Sequence, residues 1–159
     1  MKDSPENGHT LELDNYVPAL ITFLANKLSA GASRLYREKF GVGIVEWRLL
    51  ALLKVEPCIS PNRMCQVIGL DKAAVSRSIK QMQQQQLVTV LEDPTDARKS
   101  LVELTDRGQA LHDQVFEVAI KREQLLLEEL AVEDREALIR ILNHLNRRVA
   151  VVNAYQPDL

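Results

Sequence analysis

Six residues between positions 72 and 84 have side chains suited to reading a base pair: Lys72, Ala73, Ser76, Arg77, Lys80 and Gln84. On a helix of about 100° per residue, Ala73, Ser76, Arg77, Lys80 and Gln84 share one side, with Lys72 at the start. Val75, Ile79 and Met82 fall within about 60° of one another on the opposite side and must face a core. Arg can fork onto guanine, Gln onto adenine, and Ala or Ser admits close approach or touches a thymine methyl. Lys80, near the end, suits a phosphate, which positions a protein without specifying sequence. No acid interrupts the segment from Lys72 to Leu91. The same residue types also make an ordinary solvated helix face, so this segment alone leaves both readings open.

A second group follows at Thr95, Asp96, Arg98 and Lys99. The two cations suit a narrow A·T-rich minor groove, which attracts Arg. Asp96 would be repelled by phosphate, and it is better explained as orienting Arg98 or folding the tip. An ordinary surface turn with a salt bridge, worth little energetically, is the other reading of these four, but a two-stranded ribbon coupled to the polar helix favours the DNA reading.

Other chemistries find little support. There is no glycine-rich phosphate loop, nucleophile elbow or paired-carboxylate signature, so no enzyme and no cofactor is expected. His9, His112 and His144 are scattered, and no His or Cys pair stands at i, i+4, so no metal is expected. His144 shares a helical face with Arg140 and Arg148, which disfavours a cation. Cys58 and Cys65 make neither a disulfide framework nor a zinc constellation. They could still form a redox pair in a thiol-based regulator, with Cys58 in a loop the more reactive. No run of about eighteen apolar residues exists for a membrane span, and the start lacks a signal-peptide core. A reducing, cytoplasmic home and no membrane partner follow.

These residues need elements to position them. Residues 1–15 read as a mobile arm. A helix over 16–39 repeats apolar residues at Val17, Leu20, Ile21, Leu24, Leu28 and Leu35, until Gly41-Val42-Gly43 stops it. A second, nearly all apolar helix over 45–55 must sit at the core. Ser60-Pro61 starts a short helix that buries Met64, Val67 and Ile68 and ends at Gly69. Asp71 caps the next, over 72–86. Two helices joined by so tight a turn describe a helix-turn-helix. Residues 88–91 and 100–104 are strand-like, with a long polar tip between them. Thr105 caps a helix over 106–130, and a last helix over 132–152 carries Leu138, Ile141, Leu142, Leu145, Val149 and Val152 on one face. The fold class is therefore mainly α with a small β-hairpin: a winged helix-turn-helix flanked by long dimerisation helices. The expected division is an arm at 1–15, a dimerisation helix at 16–40, a DNA-binding domain at 44–105, dimerisation helices at 106–153 and a tail at 154–159.

Composition is globular, with 46% hydrophobic and 26% charged residues, and the net charge is −2. That total conceals a division. Residues 60–100 hold six Lys/Arg against four Asp/Glu, and residues 101–159 hold seven against eleven. A positive centre suits double-stranded DNA, and an acidic end repels it. The terminal helices are amphipathic and lie outside the winged unit. A two-fold dimer would bury their stripes and repeat the reading head about 34 Å away; packing on their own domain in a monomer is the other reading.

Leu70-Asp71-Lys72-Ala73-Ala74-Val75-Ser76-Arg77, the wing run Asp93-Pro94-Thr95-Asp96-Ala97-Arg98-Lys99, and Leu104-Thr105-Asp106-Arg107-Gly108 resemble the MarR family of bacterial transcription regulators. The resemblance spans about residues 16–150. It implies a homodimer whose two recognition helices read a pseudo-palindromic operator, with Lys72, Ala73, Ser76 and Arg77 in the major groove and Arg98 in the minor groove. It also implies repression released by a small aromatic or anionic effector, commonly bound between the dimerisation helices and the winged helix. Arg34, Tyr36, Arg37, Trp47 and Arg48 supply aromatic and cationic groups for such a pocket, though each also suits core packing or a solvated charge. In the branch of the family that senses through thiols, the reactive Cys stands near the start of the first helix, where this chain has none. Two departures stand out. Ala97 replaces a common second Arg, which weakens the wing's grip. Gln86 replaces a common Gly, so the turn out of the recognition helix is expected to form without an easy left-handed stop. A winged helix that binds a protein instead of DNA is the alternative.

Overall fold

A computed structural model describes residues 10–157. His9, most of the expected arm, and Asp158 and Leu159 of the tail lie outside the described residues. The order is α1 (Val17–Phe40), α2 (Ile44–Val55), α3 (Pro61–Ile68), α4 (Lys72–Gln84), β1 (Val88–Asp93), β2 (Asp96–Leu104), α5 (Asp106–Leu127) and α6 (Val132–Asn153). Six helices and one antiparallel hairpin make a winged helix-turn-helix. The chain divides within α5 into two compact units, one ending at Phe116 and the other beginning at Glu117.

In the first unit, α2 is the core helix, with Leu49, Leu50 and Leu53 buried. α4 contributes Val75, Ile79 and Met82, and β2 contributes Val102. The inward face of α4 also carries Ser78, whose hydroxyl donates to Glu46 Oε1 at 2.7 Å. The other Glu46 oxygen accepts Gly43 N–H at 2.9 Å. One buried carboxylate thus closes the start of α2 and fixes α4 against it. The second half of α1 packs on α2, with Arg48 donating to Ser29 at 2.8 Å and Tyr36 edge-on to Trp47. α3 lies beside α2, α4 and β2. Its Met64 is fully buried, but Val67, expected inside, is 46% exposed beside the Gly69 turn.

The helix ends follow local chemistry. Ser60 accepts Arg63 N–H at 3.2 Å, and Asp71 Oδ1 accepts Ala74 N–H at 2.9 Å. Gly41 and Gly69 end α1 and α3 in the left-handed region, at φ 71° and 73°. The end of α4 corrects the expectation for Gln86. This residue itself takes the left-handed conformation, φ 59°. Leu87 N–H bonds to Met82 O and Gln86 N–H to Gln83 O, both at 2.9 Å. That pattern is a Schellman stop with Gln in the usual Gly position. The helix therefore ends at Gln84, two residues short of the reading from sequence.

The hairpin also differs from expectation. The strands continue to Asp93 and Asp96, leaving Pro94-Thr95 as the turn. The ladder runs regularly from Val88↔Leu104 to Glu92↔Ser100, then jumps to Asp93↔Asp96. Residues 97–99 are thus left without cross-strand partners in a bulge. Ile59 bridges Val102, with N–H···O distances of 3.2 and 2.9 Å, and ties the α2–α3 loop to β2. In the second unit, Arg135 closes the α5–α6 turn by donating to Leu130 O at 3.0 Å.

Thr105 joins α4, the wing and α5. Its N–H bonds to Leu87 O at 3.1 Å, and its hydroxyl donates to Gln86 O at 2.6 Å. The same hydroxyl accepts Gly108 N–H at 3.0 Å and caps α5. A Cβ on Gly108 would overlap the Leu87 carbonyl oxygen. Gly108→Ala is therefore expected to lower stability by about 2–3 kcal/mol, the scale of overpacking a tight site. Gln86→Gly should raise it by up to about 1 kcal/mol by relieving left-handed strain, less the entropy of the added glycine. Urea midpoints at unchanged slope measure both.

Candidate nucleic-acid interface

The outer face of α4 presents Ala73, Ser76, Arg77, Lys80 and Gln84, all exposed, with Lys72 exposed at its start. Asp71 stands at the same end, where a carboxylate would oppose a phosphate. Ala74 N–H, then Ala73 N–H and Arg77, hold its carboxyl below the usual carboxylate range. Its charge is thus used as the helix cap.

The wing applies the same economy. Asp96 Oδ1 accepts Arg98 N–H at 3.1 Å and Arg98 Nε at 3.4 Å, while Lys99 Nζ lies 3.4 Å from Oδ2. The Arg98 side chain is nevertheless 92% exposed. The bulge therefore leaves both cations exposed while Asp96 holds the Arg98 N–H. At the tip, the Thr95 hydroxyl donates to Asp93 Oδ1 at 2.6 Å and Thr95 N–H at 2.8 Å. These bonds hold the Asp93 carboxyl below its ordinary range.

Wing and helices converge on a recess of about 620 Å³, lined by Arg63, Lys72, Arg98 and Lys99 with Cys58, Ser60 and Asn62. Four cations here face one acid, Asp93. A neighbouring recess of about 500 Å³ between α4 and the hairpin includes Lys72, Ser76, Lys80, Gln83 and Ser100. The structure thus brings Lys72, Arg98 and Lys99 together, while Ala73, Arg77 and Gln84 stand apart along α4. Arg63, which lines the same recess, is not among the residues singled out from the sequence, although it counts among the six cations of the positive centre. It is forked onto Glu56 at 2.7 and 2.8 Å, which lowers the Glu56 pKa and raises its own.

The five residues considered for an effector pocket are placed differently. Tyr36 is buried, and Trp47 lies between Tyr36 and His112, with centroids 6.0 and 5.4 Å away. Phe116 continues the row on His112 at 5.8 Å. Arg48 is bound to Ser29, Arg34 and Arg37 are exposed, and the Arg37 guanidinium lies over Gly43. His112 Nδ1 is 2.8 Å from Asp113. That contact, with Lys54 beyond it, depresses the Asp113 carboxyl. Cys58 is exposed at φ 60° and Cys65 half-buried, both as free thiols. Among the described residues, no three His, Cys, Asp or Glu side chains gather as metal ligands, and no helix is long and apolar enough to cross a membrane.

A winged helix with a cation-bearing recognition helix and wing defines a DNA-binding transcription regulator. A model of the MarR family matches residues 40–99. The crystal structure of a MarR/EmrR family transcriptional regulator from Acinetobacter sp. ADP1 is 35% identical, with a TM-score of 0.82, over 88% of this chain and 99% of that one. The chain belongs to the MarR family. Two more distant structures share the fold. The PcaV regulator of Streptomyces coelicolor with its natural ligand is 19% identical, with a TM-score of 0.74 over 87% of this chain and 96% of that one. A mutant form of Escherichia coli MarR complexed with operator DNA is 22% identical, with a TM-score of 0.73 over 86% and 99%.

Arg77→Ala is expected to relax preference at defined base pairs, costing about 1–3 kcal/mol on the cognate duplex for a forked contact. Arg98→Ala should weaken binding to all duplexes and reduce A·T preference beside the half-sites. Affinity ranking over a panel of variant duplexes separates the two roles.

Proposed function

We propose that the chain is a repressor that binds a pseudo-palindromic operator as a homodimer and leaves it when a small effector binds. The observation that carries the DNA reading is the convergence of Arg63, Lys72, Arg98 and Lys99 beside the exposed face of α4. In this reading Ser76, Arg77, Ala73 and Gln84 meet base edges, Lys72, Lys80, Arg63 and Lys99 meet phosphates, and Arg98 enters the minor groove. The E. coli MarR structure with operator DNA supports the same use of the fold. Such a regulator works in the cytoplasm, where its operator lies.

Exposed apolar side chains support the dimer. Val17, Leu20, Ile21, Phe23 and Leu24 of α1 are 42–53% exposed, and Ile139, Ile141, Leu142, Val149 and Val152 of α6 are 45–67% exposed. No residue of α6 is buried in the single chain. Wet apolar stripes of this extent mark an interaction surface, and a second copy supplies a matching one. The PcaV structure with its natural ligand supports the effector.

Duplex binding measured against salt, with the oligomeric state followed by sedimentation, tests this function. The expected result is a dimer at micromolar concentration and a steep negative slope of log affinity on log salt, about 0.9 per phosphate neutralised. A monomer, or a chain indifferent to duplex, would favour the protein-interaction alternative.

A further inference from the structure

Glu56 and Arg63 form the tightest ion pair of a Lys or Arg among the described residues. The Glu56 carboxylate accepts Arg63 Nε–H at 2.8 Å and Nη2–H at 2.7 Å, whereas the other such pairs lie at 3.1–3.4 Å. Two bonds along one edge of a guanidinium are the geometry in which a surface ion pair holds a side chain in place. The local chain delivers it. Glu56 is the C-cap of α2, Pro57 and left-handed Cys58, φ 60°, turn the chain, and Ser60 Oγ accepts Arg63 N–H. Ile59 in that turn is bonded to Val102 of β2. The corner that carries the pair is thus fixed to the strand that carries Arg98 and Lys99.

The pair still leaves Arg63 available. Two of the five guanidinium N–H donors bond to Glu56, and three remain, including a second fork at the Nη1–Nη2 end. The Arg63 side chain is 48% exposed and lines the recess shared with Lys72, Arg98 and Lys99, whose lining does not include Glu56. A phosphate seated there meets the guanidinium rather than the carboxylate. Glu56 then has two opposite effects. Ordering a free, long side chain on binding lowers affinity about twofold to tenfold, a loss that an Arg already held in place avoids. A carboxylate about 7 Å from the phosphate, with water and salt around it, lowers affinity by less than about threefold. Ordering is the larger effect.

We propose that Glu56 is a positioning residue for DNA binding, holding Arg63 as a preformed fork for one backbone phosphate in the recess between α3 and the wing. This rests on the phosphate role given to Arg63 above. Glu56 acts through the guanidinium and not on the DNA itself. Its neutralisation therefore weakens binding, although it deletes a negative charge beside a polyanion. A carboxylate that mattered only as a charge would have the opposite sign, and one that only stapled α2 to α3 would act whether or not Arg63 is present.

A phosphate contact is independent of base sequence, so a fixed mixed-sequence duplex of about 30 base pairs, long enough for two half-sites one turn apart, serves as the probe. Its affinity for the full chain is followed by fluorescence anisotropy against salt. Glu56→Gln should weaken binding about threefold to fivefold. Arg63→Ala should weaken it about tenfold and reduce the salt slope by about one. Arg63→Lys keeps the charge but loses the fork, and should keep the slope while binding as weakly as Glu56→Gln. In the Arg63→Ala background, Glu56→Gln should no longer weaken binding, since only its repulsion is left to remove. Equal or tighter binding by Glu56→Gln alone would overturn the positioning role and leave Glu56 a simple charge. Equal weakening in both backgrounds would overturn it in favour of a staple. Affinity and slope unchanged in Arg63→Ala would instead overturn the phosphate role of Arg63, and the positioning with it.

Discussion

The backbone contact between Leu87 and Gly108 holds the reading head together. At this point the chain leaving α4 meets the first turn of α5 so closely that no side chain fits between them. Thr105 fills the hydrogen-bonding needs on both sides, donating to Gln86 O and capping Gly108 N–H. The base of the wing is fixed there too, because β1 begins at Val88 and β2 ends at Leu104. Recognition helix, wing and α5 therefore share one anchor. The direction in which α4 presents Arg77 and the wing presents Arg98 depends on it. Its cost is the left-handed Gln86, a strain sustained because the Schellman bonds and the Thr105 hydroxyl over-determine the turn.

Acidic residues beside the proposed DNA-facing surface carry a second lesson. Asp71, Asp93, Asp96 and Glu56 all lie near groups proposed to meet phosphate, and each is occupied by its own chain. Asp71 caps α4, Asp93 folds the tip with Thr95, Asp96 holds the bulge with Arg98 and Lys99, and Glu56 forks Arg63. A carboxylate that accepts N–H groups has its charge partly compensated. These four acids act as local folding devices, while the cations they organise stay in solvent.

Much of this was legible in the sequence because it depends on neighbours a few residues away. The caps Ser60 and Asp71, the stops at Gly41 and Gly69, and the inward set Val75, Ile79 and Met82 follow from side-chain chemistry and helical period. The motif Leu104-Thr105-Asp106-Arg107-Gly108 marked a family resemblance, but its physical reason, a collision with Leu87, was invisible. Arg63 escaped notice as a phosphate contact, the role proposed for it, because the recess it shares with Arg98 joins elements thirty-five positions apart.

The sequence by itself determined the element types and order, the apolar faces and the positive centre, since period, caps and charge counts are local properties. Tertiary structure alone decided that Gln86 bends left-handed, that the wing carries a bulge at 97–99 and that Val67 is exposed. It also decided that Tyr36 meets Trp47 edge-on in an aromatic row while Gln85, Arg107 and Phe40 meet around a cavity. Each of these depends on which distant surface arrives at a residue, and a local pattern holds no record of that.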